Sequence, residues 1–133
     1  MENEKKIKVV LLEPGKLARA TEIDASLAGM QKTVDGLIEP FYPFEEQVCI
    51  VCNEESKING MRPNRSVKND DGVMVDFIFG PAFICDCRGE NLDSLSDEQL
   101  DRYGKMFRYP EHLARVNSTL LGIPYRPQQE QER

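Results

Sequence analysis

The segment from Val48 to Asn69 constrains this chain more than any other. An apolar, strand-like run, Val48-Cys49-Ile50-Val51-Cys52, opens directly into Asn53-Glu54-Glu55 and then into a stretch carrying Met61-Arg62-Pro63-Asn64-Arg65. Polar side chains leave the core at Asn53. From Lys57 to Lys68 there are four cations (Lys57, Arg62, Arg65 and Lys68) and no acid, in a chain of 133 residues whose formal net charge is −6. The local reversal of sign, in what reads as a loop over 57–68, marks a candidate binding site. No residue spacing identifies a reaction.

The length fits one domain, expected over residues 1–123, since chains of roughly 150 residues bury about 68–70% of their unfolded surface. Hydrophobic residues at 40% and charged residues at 30% argue against wholesale disorder. Outside 57–68 the net charge is −10 (−6 less +4), which disfavours duplex DNA as a partner, because non-specific affinity comes from clustered Lys and Arg. A local phosphate or anion contact stays open. The N-terminus mixes charges and lacks the apolar region of a secretory signal, and no window reaches the roughly 18 apolar residues of a membrane span. A cytoplasmic protein with reduced thiols is expected.

Lys6 to Leu12 reads as a first strand, and Glu13-Pro14-Gly15-Lys16 as a type II turn in which Gly15 supplies the positive φ. A second strand follows over about Leu17 to Ile23. Ile23, Leu27, Met30 and Val34 then recur at helical spacing, with Asp24 placed to cap and Gly36 beyond the end, which predicts a helix near 25–35. Leu37 to Phe44 and Gln47 to Asn53 read as strands, as do Gly72 to Phe79 and Ala82 to Cys87, divided at Gly80-Pro81. Ser96-Asp97-Glu98-Gln99 is a capping box opening a helix over about 97–108. Pro110 begins a further helical stretch with Leu113, Val116 and Leu120 inward, and a disordered tail is expected from Pro124 to Arg133. The fold class is α+β: a mixed, mostly antiparallel sheet of about five or six strands, one helix after the first hairpin, and C-terminal helices.

Four cysteines invite a zinc reading, but positions three apart in a strand face opposite ways, so Cys49 and Cys52 cannot share a metal without a turn between them. Cys85-x-Cys87 is not a zinc-knuckle spacing. Small buried hydrophobes are the simpler account. His112 reads as a solvated residue beside Glu111. There is no Gly-x-Gly-x-x-Gly or Walker-type loop, so no nucleotide cofactor of the usual kinds is expected, and no other cofactor or metal either. Glu13, Glu39, Glu54 and Glu55 fall at strand ends or turns, where nothing fixes their mutual distance.

What survives is the 53–65 region. Asn53 and Asn64 offer amides that donate and accept, Arg62 and Arg65 offer guanidinium groups that hold phosphate or carboxylate, and Glu54 stands beside them. Pro63 would stiffen the loop.

Leu12-Glu13-Pro14-Gly15-Lys16, Val34-Asp35-Gly36-Leu37-Ile38-Glu39, Asn53-Glu54-Glu55-Ser56-Lys57 and Met61-Arg62-Pro63-Asn64-Arg65 together resemble the uncharacterised family numbered 3846 among domains of unknown function, over about residues 6–105. The resemblance implies a compact α+β domain and a setting in bacteria, phages and mobile elements, and it brings no established activity. Residues 106–123 would then be a helical extension.

The expected function is a noncatalytic binding module that takes a small anionic, nucleotide-like ligand or a protein partner through Asn53, Glu54, Arg62, Asn64 and Arg65, in an anti-defence setting. One alternative is an enzyme acting on a nucleotide or phosphorylated substrate, with Glu54 as acid/base and Arg65 as electrostatic stabiliser. Another is a structural homodimer that pairs exposed strand edges.

Overall fold

A computed structural model describes residues 5–127. In chain order its elements are β1 (Lys6–Leu12), β2 (Arg19–Asp24), α1 (Leu27–Val34), β3 (Ile38–Phe41), β4 (Val48–Asn53), β5 (Pro63–Lys68), β6 (Met74–Phe79), β7 (Ala82–Asp86), α2 (Asp97–Met106), β8 (Glu111–Val116) and β9 (Thr119–Pro124). Five strands form an antiparallel sheet in the order β2-β1-β7-β4-β3, while β5-β6 and β8-β9 are separate two-stranded ribbons. The fold is broadly α+β.

The apolar run Val48–Val51 lies in β4, fully buried, against an equally buried β7. Period-two alternation sorts the sheet's side chains into two cores. On one face Val10, Leu12, Val48, Ile50 and Ile84 pack with Tyr103 and Phe107 from α2 and its end, and with Val67 and Ile78 from β5 and β6. On the other, Ile7, Val9, Leu11, Cys49, Val51, Phe83 and Cys85 pack against Val34 and Met30 of α1. Coverage on both sides explains why β4 and β7 are continuously apolar rather than alternating. Each fully buried Val, Ile or Phe contributes about 1.5–3 kcal/mol relative to exposure.

Local signals behave as chemistry requires at several points. Gly15 takes φ +78, and Lys16 N donates to Glu13 O at 3.2 Å, closing the turn between β1 and β2. Ser96 and Gln99 form the reciprocal capping box of α2. In α1 the cap is Ser26, whose hydroxyl accepts from Gly29 N at 3.0 Å. Asp24 instead accepts from Ser26 N, holding the cap itself in place.

Three expectations are corrected. The stretch 57–68 is not a loop: from Pro63 onward it is strand β5, paired to β6. Strands β6 and β7 form on either side of Gly80-Pro81 as expected, and they enter different sheets. The expected helix after Pro110 is the ribbon β8-β9, joined by Asn117 and Ser118 with φ +52 and +75. Two successive residues with positive φ make the tight turn whose twist matches paired strands. The spacing of Leu113, Val116 and Leu120 fits a helix face by coincidence, the ambiguity that short apolar segments carry. Pro124, expected to open a tail, closes β9. Tyr125 N donates to Pro110 O at 3.0 Å, and the Tyr125 ring stacks on His112. The rest of the expected tail, 128–133, lies outside the described residues.

Candidate functional site

The sequence-predicted residues divide between two places. Asn64 and Arg65 enter the interior with β5, both fully buried. All five N–H groups of Arg65 are engaged. Nε donates to Phe107 O at 2.6 Å, Nη1 to Glu13 O at 3.2 Å and Asn64 Oδ1 at 2.6 Å, and Nη2 to Lys16 O at 2.6 Å and Arg108 O at 3.3 Å. The Asn64 amide donates to Leu12 O and Gly80 O at 3.0 and 2.8 Å. Four carbonyls from the β1–β2 turn and the end of α2 therefore converge on one cation. Burial lowers the Arg65 guanidinium to about 10, partly offset by the carboxylate of Glu111, so it stays charged at neutral pH. Arg62 is exposed, its guanidinium lying over Gly15, where an added Cβ would meet Nη2 at 3.0 Å.

Asn53 and Glu54 lie elsewhere. Asn53, also buried, donates from its amide to Val34 O and Asp35 O at 3.2 and 2.9 Å and accepts from Glu55 N at 2.7 Å. It therefore closes the C-terminal end of α1 onto β4, satisfying carbonyls that a helix end leaves without partners. Glu54 is exposed and lines a cleft of about 230 Å³ with Glu39, Phe41, Cys52, Lys57, Ile58, Asp76, Ile78 and Phe79.

This cleft is built by topology. Strand β3 is an edge of the five-stranded sheet, β6 is the strand of its ribbon that approaches β4, and the turn after β4 lies between them. The floor is apolar, and the walls carry three carboxylates (Glu39, Glu54 and Asp76) against one cation, Lys57, which is held by Asp76 at 2.8 Å. Burial and then the charges of Glu39 and Asp76 push the Cys52 thiol up to about 11, so it is a neutral part of the floor. Asp76 and the aromatic floor gave no local sequence signal. Glu39 was visible as a strand-end acid, yet its neighbours come from strands distant in sequence.

The polar residues of the predicted site thus do three different jobs: Arg65 and Asn64 fasten the interior, Asn53 closes α1, and Glu54 faces solvent. Glu54 and Arg65, the acid and cation of an enzymatic arrangement, occupy separate surroundings. Of the thiols, Cys49 and Cys85 face each other across β4 and β7 with sulfurs 3.7 Å apart, while Cys52 faces the opposite core. Among the described residues no three His, Cys, Asp or Glu side chains gather into a group that would hold a metal.

These features define a small α+β domain organised by one antiparallel sheet, with no helix among the described residues long and apolar enough to cross a membrane. The chain belongs to the family described as domain of unknown function DUF3846, whose model matches residues 7–108. The match begins in β1 and stops at Arg108, one of the residues whose carbonyl Arg65 holds, leaving β8 and β9 beyond it. No curated protein and no solved structure matches the chain.

Proposed function

We propose that this protein is a noncatalytic binding module that accepts an extended, cationic stretch of a protein partner in the cleft between β3, β6 and the turn after β4. The observation that supports this reading is charge and shape in one place: Glu39, Glu54 and Asp76 stand around a floor of Phe41, Cys52, Ile78 and Phe79, beside an open sheet edge. An open edge offers backbone donors and acceptors to an added strand. The hollow takes alternate side chains, and the carboxylates select Lys or Arg. A volume of about 230 Å³ is small beside the roughly 300–1,000 Å³ of typical small-molecule pockets. The anionic-ligand alternative has less support, because Arg65 directs every donor inward and the cleft's carboxylates repel phosphate.

A fluorescently labelled peptide of alternating Lys and Val, titrated by anisotropy, tests the reading. Saturable binding is expected, weakening with added salt and falling roughly tenfold or more in the double variant Glu39→Lys/Glu54→Lys. Binding of ATP or inorganic phosphate that disappears in Arg62→Ala, with no peptide binding, would restore the anionic-ligand alternative in its place.

A further inference from the structure

The cleft already holds a cation, and it comes from the chain itself. From the turn 54–60, Lys57 Nζ reaches β6 and donates to Asp76 Oδ1 at 2.8 Å. Asp76 does not depend on that bond for its aim, because the same oxygen accepts from Phe77 N at 2.8 Å, and Phe77 is buried. The backbone of the turn is braced as well. Asn53 Oδ1 accepts from Glu55 N at 2.7 Å, Asn59 N donates to Glu55 O at 2.9 Å, and Met61 N donates to the carbonyl of buried Ser56 at 3.1 Å. Lys57 is the loose part. Its side chain is 60% exposed on a flexible four-carbon stem, so it can leave Asp76 by rotating while the turn stays in place. The next residue, Ile58, lines the cleft yet is 84% exposed, more than any other large apolar side chain among the described residues. An aliphatic group so placed gains burial when something enters beside it.

We propose that Lys57 is an internal substitute for the partner's cation, so that a partner enters the cleft by displacing Lys57 from Asp76 and is then covered by Ile58. This rests on the reading of the cleft given under Proposed function and adds its regulation. Asp76 is preorganised by Phe77 N, so an incoming Lys or Arg replaces Lys57 one for one at a carboxylate already in position. A segment without a cation at that point gives Asp76 nothing in exchange and is held back. The contact is a filter rather than a block, because an exposed pair of this kind shifts an equilibrium by roughly fivefold at most.

The labelled Lys-Val peptide, titrated by anisotropy against variants of the full chain, provides the test, with melting curves to check that each variant folds. Lys57→Gln is expected to bind about three- to fivefold more tightly than wild type, with Lys57→Met as a second version, while Lys57→Arg keeps the charge and binds as wild type. Ile58→Ser is expected to bind about threefold or more weakly, so two adjacent residues act with opposite sign. Lys57→Gln also makes the chain one charge more acidic. The comparison is therefore repeated in Asp76→Asn, where displacement predicts that the gain disappears and general attraction of a cationic peptide predicts that it persists. An equal gain in both backgrounds overturns the proposal, as do unchanged or weaker binding by Lys57→Gln and unchanged binding by Ile58→Ser. Peptide binding that falls in Glu39→Lys/Glu54→Lys but ignores Lys57→Gln refutes the internal substitute while leaving the cleft reading intact. No peptide binding by either wild type or Lys57→Gln refutes both.

Discussion

Arg65 and Glu54 began as members of one predicted site, and they end as opposites. The guanidinium of Arg65 is wholly enclosed, with each N–H on an oxygen of its own chain. The carboxylate of Glu54 is exposed, beside Glu39 and Asp76, with one cation among them. A buried charge with complete hydrogen bonding organises a structure, because it is costly to leave any of its partners unmatched. Like charges held together at a surface are a local expense that a complementary partner relieves. Residue type alone does not separate these cases; where the hydrogen bonds go does.

The sharpest way to break the comparison is Arg65→Ala. It leaves carbonyls of Glu13, Lys16, Phe107 and Arg108 without a donor, so a loss of about 3–5 kcal/mol is expected in denaturant unfolding. A ligand-binding arginine would instead lose affinity with unchanged stability. Asn53→Ala removes three hydrogen bonds, one buried and two half-buried, between α1, β4 and the following turn, and about 1–3 kcal/mol should go with them, with hydrogen exchange rising first in α1.

Acid provides a third probe. Glu46 accepts from Arg102, Tyr103 and Gln99, and these bonds, Arg102 foremost, hold its carboxyl at about 2 against an ordinary 4.5. A carboxylate with a lowered folded value stabilises above its unfolded value and loses that contribution as pH falls toward 2. Glu46→Gln should therefore cost about 1 kcal/mol at pH 7, allowing for its partial exposure, and nothing near pH 2, as read from melting temperatures at the two pH values. Smallest in stability is Glu54→Gln, expected within about 0.5 kcal/mol of wild type, while its effect should appear in the salt dependence of peptide binding. If Glu54→Gln proved as destabilising as Arg65→Ala, the contrast between the two regions would collapse.

How much of this was legible beforehand follows the range of each signal. The Gly15 turn, the capping box at Ser96 and the apolar strand at Val48 are written within a few residues, so sequence reading finds them. The burial of Arg65 is not, because its oxygen partners lie up to 52 residues away and a Pro-Asn-Arg string resembles exposed turn chemistry. The ribbon after Pro110 failed for a different reason: its turn, Asn117-Ser118, sits inside an aliphatic stretch whose spacing satisfies a helix equally well. The cleft was half visible, as Asn53, Glu54 and Glu39. Its other wall arrives with β6, a strand whose partner is β5 rather than the strand that follows it.

Arg65 also holds the carbonyls of Phe107 and Arg108, the last residues of the family match, three positions before Glu111 is gripped by Ser66. The chain thus leaves the matched body at a fixed address and on a fixed heading. Because both grips act on residues 107–111, Arg65 and Ser66 together serve as the bearing that sets where β8 and β9 point relative to the sheet.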